Sequence, residues 1–203
     1  MPKNEGIQPA RAADPGGPIR PKGWGNRTTG DRIGALLEKV YGRPFDELLS
    51  QQLWQPAGME ASADIMTDRT GAAVASEELF ARPRDFARFG ELMRNGGSTP
   101  DGRRIVSGEW VTTATTTLLP ATDSGDTEPG GYGYQWWSGA TPDGFQANGF
   151  QGQYITVSPA GCLTGVRLAH TVQFNGAGDF AGQGNAEWHT LYRAVLRQLG
   201  GCR

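Results

Sequence analysis

Between Gly34 and Gly97, three helical patterns are divided by residues that stop a helix, and this punctuation constrains the chain more than any other feature. LLEKV and FDELLSQQLW are separated by Gly42–Arg43–Pro44, and the second is halted by Pro56 and Gly58. A third pattern runs from Arg84 to Arg94, after Pro83 and before Asn95–Gly96–Gly97. Proline lacks the N–H that a helix interior needs, and glycine is favoured just past a helix end, so each stop has a backbone cause.

The apolar spacing gives each helix an inward face. A helix beginning near Asp31 places Ile33, Leu36, Leu37 and Val40 on one side, and that side is expected to be buried. Asp46 to Trp54 forms a second helix, with Phe45, Leu48, Leu49, Leu53 and Trp54 inward. Residues 57–79 read as an irregular excursion. Arg84 to Met93 carries Phe86, Phe89, Leu92 and Met93 on its apolar side, with Asp85 capping or salt-bridging that helix. Ser107 caps a short helix through Glu109, Trp110 and Val111, with the acidic Glu109 suited to its first turn.

Beyond the Gly/Asp/Pro-rich loop at 120–131 the period changes to that of strands. Tyr132–Trp137, Gly144–Asn148, Gln153–Val157 and Leu163–His170 are short segments bounded by turn residues, and Ser158–Pro159–Ala160–Gly161 joins the last two. Helical spacing returns from Asn185 to Leu199 through Trp188, Leu191, Tyr192, Val195 and Leu199. Helices, an antiparallel meander and a closing helix make an α+β arrangement. Residues 1–30 carry Pro, Gly and basic residues and few large apolar ones. They read as disordered and outside the folded part, 31–203.

Composition narrows the function classes. The net charge of −2 offers no electrostatic footprint for nucleic acid or an anionic membrane. No apolar run is long enough to span a bilayer and no apolar leader opens the chain, which implies a cytoplasmic setting. Two histidines and two cysteines, without close carboxylate spacing, imply no metal and no cofactor. Cys162 and Cys202 read as inert thiols, and His170 and His189 as structural or surface residues.

The words GRPFDELL, LWQPAGME, RDFARFGELMRNGG and YGYQWW occur in an order that resembles the penicillin-recognising serine hydrolases. This class C β-lactamase-like group includes esterases, D-amino-acid peptidases and nylon-oligomer (6-aminohexanoate dimer) hydrolases. The resemblance implies a partial β-lactamase/transpeptidase-like fold, and hydrolysis of a small-molecule amide or ester through an acyl-enzyme. Three motifs assemble that site. A Ser-x-x-Lys pair on a helix supplies nucleophile and base, a Tyr-x-Asn element moves a second proton, and a Lys-Thr-Gly-like strand binds substrate and lends an oxyanion N–H.

Ser-x-x-Lys is absent: the lysines are Lys3, Lys22 and Lys39, and Ile19 and Leu36 stand three residues before the last two. Tyr-x-Asn is absent too, and its place falls near Trp24, which cannot transfer a proton. The third motif has a counterpart. Ala147–Asn148–Gly149 replaces Lys-Thr-Gly, and Asn148, Gly149, Phe150, Gln151 and Gly152 resemble the segment opening the substrate-side strand, with the Phe150 N–H as oxyanion donor. Tyr134 and Trp136 are read as lining a groove. Arg69–Thr70–Gly71 sits where the family has a linker, and is not taken as a Lys-Thr-Gly analogue. The chain thus reads as the C-terminal portion of such a hydrolase, without its nucleophile and inactive alone, or as a non-catalytic remnant or binding module of the same fold. An unpaired sheet edge would favour self-association.

Overall fold

The computed structural model describes residues 4–11, 25–68, 70–76, 78–120, 130–141, 143–169 and 185–201. The chain divides into two compact units, Met1–Asp85 and Phe86–Arg203.

The first unit contains β1 (Ile7–Arg11), α1 (Gly25–Tyr41), α2 (Phe45–Leu49), β2 (Ala63–Thr67) and β3 (Leu79–Phe80). α2 continues directly into a π-helical turn, Ser50–Trp54. β1 runs parallel to β2, with Ile7 opposite Ala63 and Arg11 opposite Thr67, while β3 joins antiparallel on the other side of β2. The disorder expected for residues 1–30 therefore does not hold at Ile7–Arg11. A ladder with β2 pairs that backbone along one side and Ile7 is buried, so one apolar residue and five pairings stand in for the missing hydrophobic run. The excursion expected over 57–79 likewise contains β2 and β3. Every second residue of β2 (Ala63, Ile65, Thr67) is buried, the alternation of a strand with one face inward.

α1 begins at Gly25, earlier than its apolar spacing suggested, and ends as expected at Gly42, which takes φ +65°. Its contact line is the reverse of the expected one. Asp31 Oδ1 accepts from the Ser76 N–H at 3.1 Å, and Glu38 Oε1 accepts from the Phe45 N–H at 2.9 Å. Gly34 lies between them, so close to the next segment that a Cβ there would stand 2.5 Å from that of Ala75. Ile33, Leu36 and Val40, expected inside, are exposed.

Trp54 is buried and donates its indole N–H to the Ala61 carbonyl at 2.8 Å. Asp85 is completely buried, and its carboxylate accepts the backbone N–H groups of Glu60 at 2.6 Å and Ala61 at 3.3 Å. These two bonds tie the start of its helix to a loop 24 and 25 positions earlier, a role that spacing on its own helix did not suggest.

The second unit is built on a five-stranded antiparallel meander, β4 (Gly131–Tyr132), β5 (Trp137–Ser138), β6 (Phe145–Gly149), β7 (Gln153–Ser158) and β8 (Leu163–Arg167), paired in sequence order. The helices are α3 (Pro83–Arg94, which begins within the first unit), α4 (Gly108–Thr115) and α5 (Asn185–Leu199). Ser107 caps α4 as expected, accepting the Trp110 N–H at 3.1 Å. Tyr132–Trp137 is not one strand. Gly133 N donates to Trp136 O at 2.7 Å and Gln135 takes φ +65°, so the segment turns back as β4 and β5. Cys162 is disulfide-bonded, not an inert thiol; the sequence's other cysteine, Cys202, lies outside the described residues, as does His170.

Both faces of this sheet are covered. On one, Phe145 and Val157 pack with Met93, Val111, Ala114 and Trp136, joined by Phe89, Ala147 and Ile155. Gly90 brings α3 close, because a Cβ there would stand 2.5 Å from Thr164 Cγ2 and 2.9 Å from Ile155 Cγ2. Glu91, next in α3, accepts from Thr164 Oγ1 at 2.6 Å and from Arg94 through both carboxylate oxygens. Burial pushes the Glu91 carboxyl up, but its bonds to Arg94 and Thr164 outweigh this and hold it below the usual range.

On the other face lies α5, which buries His189 and Tyr192 but leaves Leu191, Val195 and Leu199 exposed. The Tyr192 hydroxyl donates to Leu163 O at 2.7 Å, and burial, then the nearby Asp143 charge, push it well above the ordinary phenol range. Gln146 and Thr156, both fully buried, are paired across β6 and β7. Gln146 Oε1 accepts from Thr156 Oγ1 and from His189 Nε2 (3.0 Å), while its Nε2 donates to Asn185 Oδ1 at 3.2 Å and to Asn148 Oδ1. Thr156 Oγ1 in turn accepts the Trp188 indole N–H at 2.7 Å.

Three outcomes follow from this packing. Asp85→Ala should lower stability by about 2 kcal/mol in urea unfolding, since two loop N–H groups lose a charged acceptor. Gln146→Leu should cost about 2–3 kcal/mol by stranding several buried polar groups. Because the Glu91 carboxyl is depressed in the folded state, its contribution is present above the unfolded carboxylate range and fades as pH falls through the lower folded value. The wild type and Glu91→Gln should therefore differ by only about 0.5–1 kcal/mol near neutrality, given partial exposure of the pair, and converge in acid melts.

Candidate functional site

The segment expected to open the substrate-side strand is a hairpin. Asn148 and Gly149 end β6, Gln153 begins β7, and Phe150–Gln151–Gly152 form the turn between them. Gln151 at φ +61° and Gly152 at φ +81° give two consecutive left-handed residues, which reverse the chain tightly. Gly149 faces Gln153 so closely that a Cβ would stand 2.9 Å from that of Gln153. The backbone conformation of the turn thus selects the glycines at this point, independently of any ligand.

Alternation along β6 separates its side chains. Ala147 joins the apolar face with Phe145 and Ile155, while Gln146 and Asn148 look to the α5 face. Asn148 is held there by the Gln146 amide, and Arg167 Nη1 donates to the Gly152 carbonyl at 2.9 Å, fastening the far side of the turn. Arg167 also lies over the Tyr154 ring, 5.4 Å from its centroid. The hairpin is therefore a firmly held, mainly amide-bearing element. It can present backbone N–H groups and a carboxamide, and it brings no lysine, serine nucleophile or general base of its own.

The two aromatic candidates part company. Trp136 is buried in the core, stacked on Phe89 at 6.0 Å and edge-on to Phe145 at 5.0 Å, so it fills the interior and cannot wall a groove. Tyr134 is half exposed and lies 5.3 Å from Trp110, itself exposed, with its N–H bonded to Ala114 O. Tyr132 and Trp137 face each other across β4 and β5 at 4.4 Å. Of the Arg69–Thr70–Gly71 triplet, Arg69 lies outside the described residues. Thr70 and Gly71 belong to a turn organised by Asp68, which accepts from Thr70 N, Thr70 Oγ1 and Ala72 N, in keeping with a linker.

Two features escaped the sequence reading. One is the Gln146–Thr156–His189–Asn185–Trp188 network; the polar residues alternating in β6 and β7 were its only signal. It makes His189 structural, with Nε2 carrying the hydrogen because the Gln146 oxygen can only accept. The other is a cavity of about 390 Å³ in the first unit, walled by Phe45, Leu49, Ile65, Val74 and Leu79 and reached by Ser76 and Glu78. Ser76 Oγ is buried there without a hydrogen-bond partner, and Glu78 holds φ +63°. No cluster of three or more metal-binding side chains occurs among the described residues. No helix among them is long and apolar enough to cross a membrane.

The chain is similar to proteins of one group. The family model described as Beta-lactamase matches residues 23–188. The 6-aminohexanoate-dimer hydrolase of Paenarthrobacter ureafaciens is 30% identical over 172 residues, covering 82% of this chain and 41% of that protein. A solved Bacillus anthracis protein, provisionally assigned as a 6-aminohexanoate-dimer hydrolase, superposes on 93% of this chain and 46% of its own, with TM-score 0.72 and 22% identity. A provisionally assigned β-lactamase from Bacteroides dorei covers 78% of this chain and 54% of its own, with TM-score 0.58 and 19% identity. The chain thus spans about half the length of the relatives it matches, or a little less. The two solved structures share its α+β fold, and the match over residues 23–188 makes this chain a member of the β-lactamase family.

Proposed function

We propose that this chain is the substrate-side portion of a serine hydrolase that cleaves a small amide or ester, and that it does not turn over substrate by itself. The observation that carries this reading is the pairing of a family match over residues 23–188 with a sequence holding neither Ser-x-x-Lys nor Tyr-x-Asn. In the complete site, a serine supplied by the remainder of the domain attacks the carbonyl carbon. The leaving amine or alcohol takes a proton, and water then releases the acid from the acyl-enzyme. The contribution of this chain is the β6–β7 hairpin, with the Phe150 N–H as oxyanion donor and Asn148–Gly149–Phe150–Gln151–Gly152 against the substrate.

Ala147 stands where the family carries a lysine, and its methyl group cannot pair with a carboxylate, so a substrate without a carboxylate close to the scissile carbonyl fits better than a penicillin-like acid. Similarity to the Paenarthrobacter hydrolase makes a 6-aminohexanoate-type amide the first substrate to test. A non-catalytic binding module of the same fold is the second reading, and the firmly held hairpin is what favours it. The β8 edge, paired only with β7 among the described residues, is where this reading places self-association. A disulfide at Cys162 fits an oxidising compartment better than the cytoplasmic setting expected from the sequence.

The purified chain should show no burst and no turnover with nitrocefin or a p-nitrophenyl ester, and a fluorophosphonate probe should leave its mass unchanged. A stoichiometric mass increase on one residue of this chain would refute the absence of a nucleophile.

A further inference from the structure

α5 is held to the sheet unevenly. The side-chain bonds that fasten it come from its first part. Asn185 and His189 meet the Gln146 carboxamide, Trp188 donates to Thr156 Oγ1, Tyr192 to Leu163 O, and Arg193 Nε to Ala140 O at 3.1 Å. Beyond Arg193, the side chains of Val195, Arg197, Gln198 and Leu199 are exposed, and Ala194 and Leu196 are partly covered. Half a helix with so little burial frays unless its end is held by something else.

That end is drawn back to the turn between β7 and β8. Gly200 and Gly201 take φ +71° and +81°, and the Gly200 N–H closes the helix on Leu196 O at 3.1 Å. A Cβ on Gly201 would stand 3.4 Å from the Ala160 carbonyl oxygen, and Leu196 Cδ2 leaves no room for a Cβ on Gly161. Cys162 lies in this same turn, disulfide-bonded and exposed, at φ +49°, a left-handed conformation that is costly for a residue other than glycine. The sequence has one other cysteine, Cys202, directly after Gly201. We propose that Cys162 and Cys202 form one bridge, and that this bridge is a redox-operated clasp on the second half of α5. Exposure opens it to a small thiol such as glutathione. A thiolate attacks one bridge sulfur, and the S–S bond breaks to give a mixed disulfide and one cysteine thiolate. A second thiol then displaces the other cysteine. Two electrons and two protons pass to the protein, and the reductant leaves as its own disulfide. With the bridge open, residues 194–201 part from the turn while the bonds of residues 185–193 keep their hold on the sheet. The clasp does not depend on the hydrolase reading.

Peptide mass mapping of the non-reduced full chain tests the pairing, and hydrogen exchange with and without excess reduced glutathione tests the clasp. A 162–202 link within a monomer is expected, opened by glutathione. Amide exchange over 194–201 should then be at least about tenfold faster, with exchange at Gln146 and Thr156 unchanged. Cys202→Ser should show the fast pattern under both conditions, and Cys162→Ser, far from the chain end, should match it. The proposal falls if the link joins two chains, if both cysteines stay as thiols in oxidised glutathione, or if the bridge survives excess reduced glutathione. Exchange over 194–201 that is the same with the bridge open overturns it as well. So does an opening that speeds exchange throughout β6 and β7, since the bridge would then brace the whole unit.

Discussion

A sheet covered on both faces must satisfy every polar side chain it turns inward, and the β6–β7 pair meets that demand with two residues. Gln146 and Thr156 are wholly buried, and each is both donor and acceptor. One carboxamide reaches β7, α5 and its own strand at once, so strand pairing, helix placement and the orientation of Asn148 become a single arrangement. In a low-dielectric interior such a network is favourable only while every member is matched. The apolar face needs no comparable precision in direction. There Val157, Phe145 and Trp136 gain from contact area, and Gly90 lets α3 come near enough to supply it.

Much of this architecture is legible in the sequence wherever the signal is local. Ser107 caps α4, Gly42 ends α1, and the meander strands fall between turn residues, because a cap or stop depends on a few neighbouring atoms. What is not legible depends on partners distant in sequence. Ile7–Arg11 becomes a strand only because β2 lies alongside it, fifty-six positions further on. Tyr132–Trp137 has the alternation of a strand, but Gln135 bends it, and nothing in periodicity forecasts a left-handed glutamine.

The apolar stripes of α1 and α5 are the instructive failures. Periodicity finds an apolar face correctly, yet it cannot say whether that face is covered within a given length of chain. Leu191, Val195 and Leu199 in α5 remain in water as Ile33, Leu36 and Val40 do in α1. The candidate site behaves likewise. Its glycines were visible, whereas their cause, the turn at Gln151–Gly152, required the backbone.

The π-helical turn at Ser50–Trp54 has a consequence of another kind. There Gln55 N–H bonds to Ser50 O, five residues back, so this helix carries one residue more than an α-helical path of the same rise would hold. That added residue sets the rotation at which Trp54 leaves the helix and lets its indole meet the Ala61 carbonyl. Length at this point is thus as constrained as identity. Removing any one residue between Ser50 and Leu53 would restore an ordinary turn and swing Trp54 by roughly a quarter of the helix circumference, away from its acceptor.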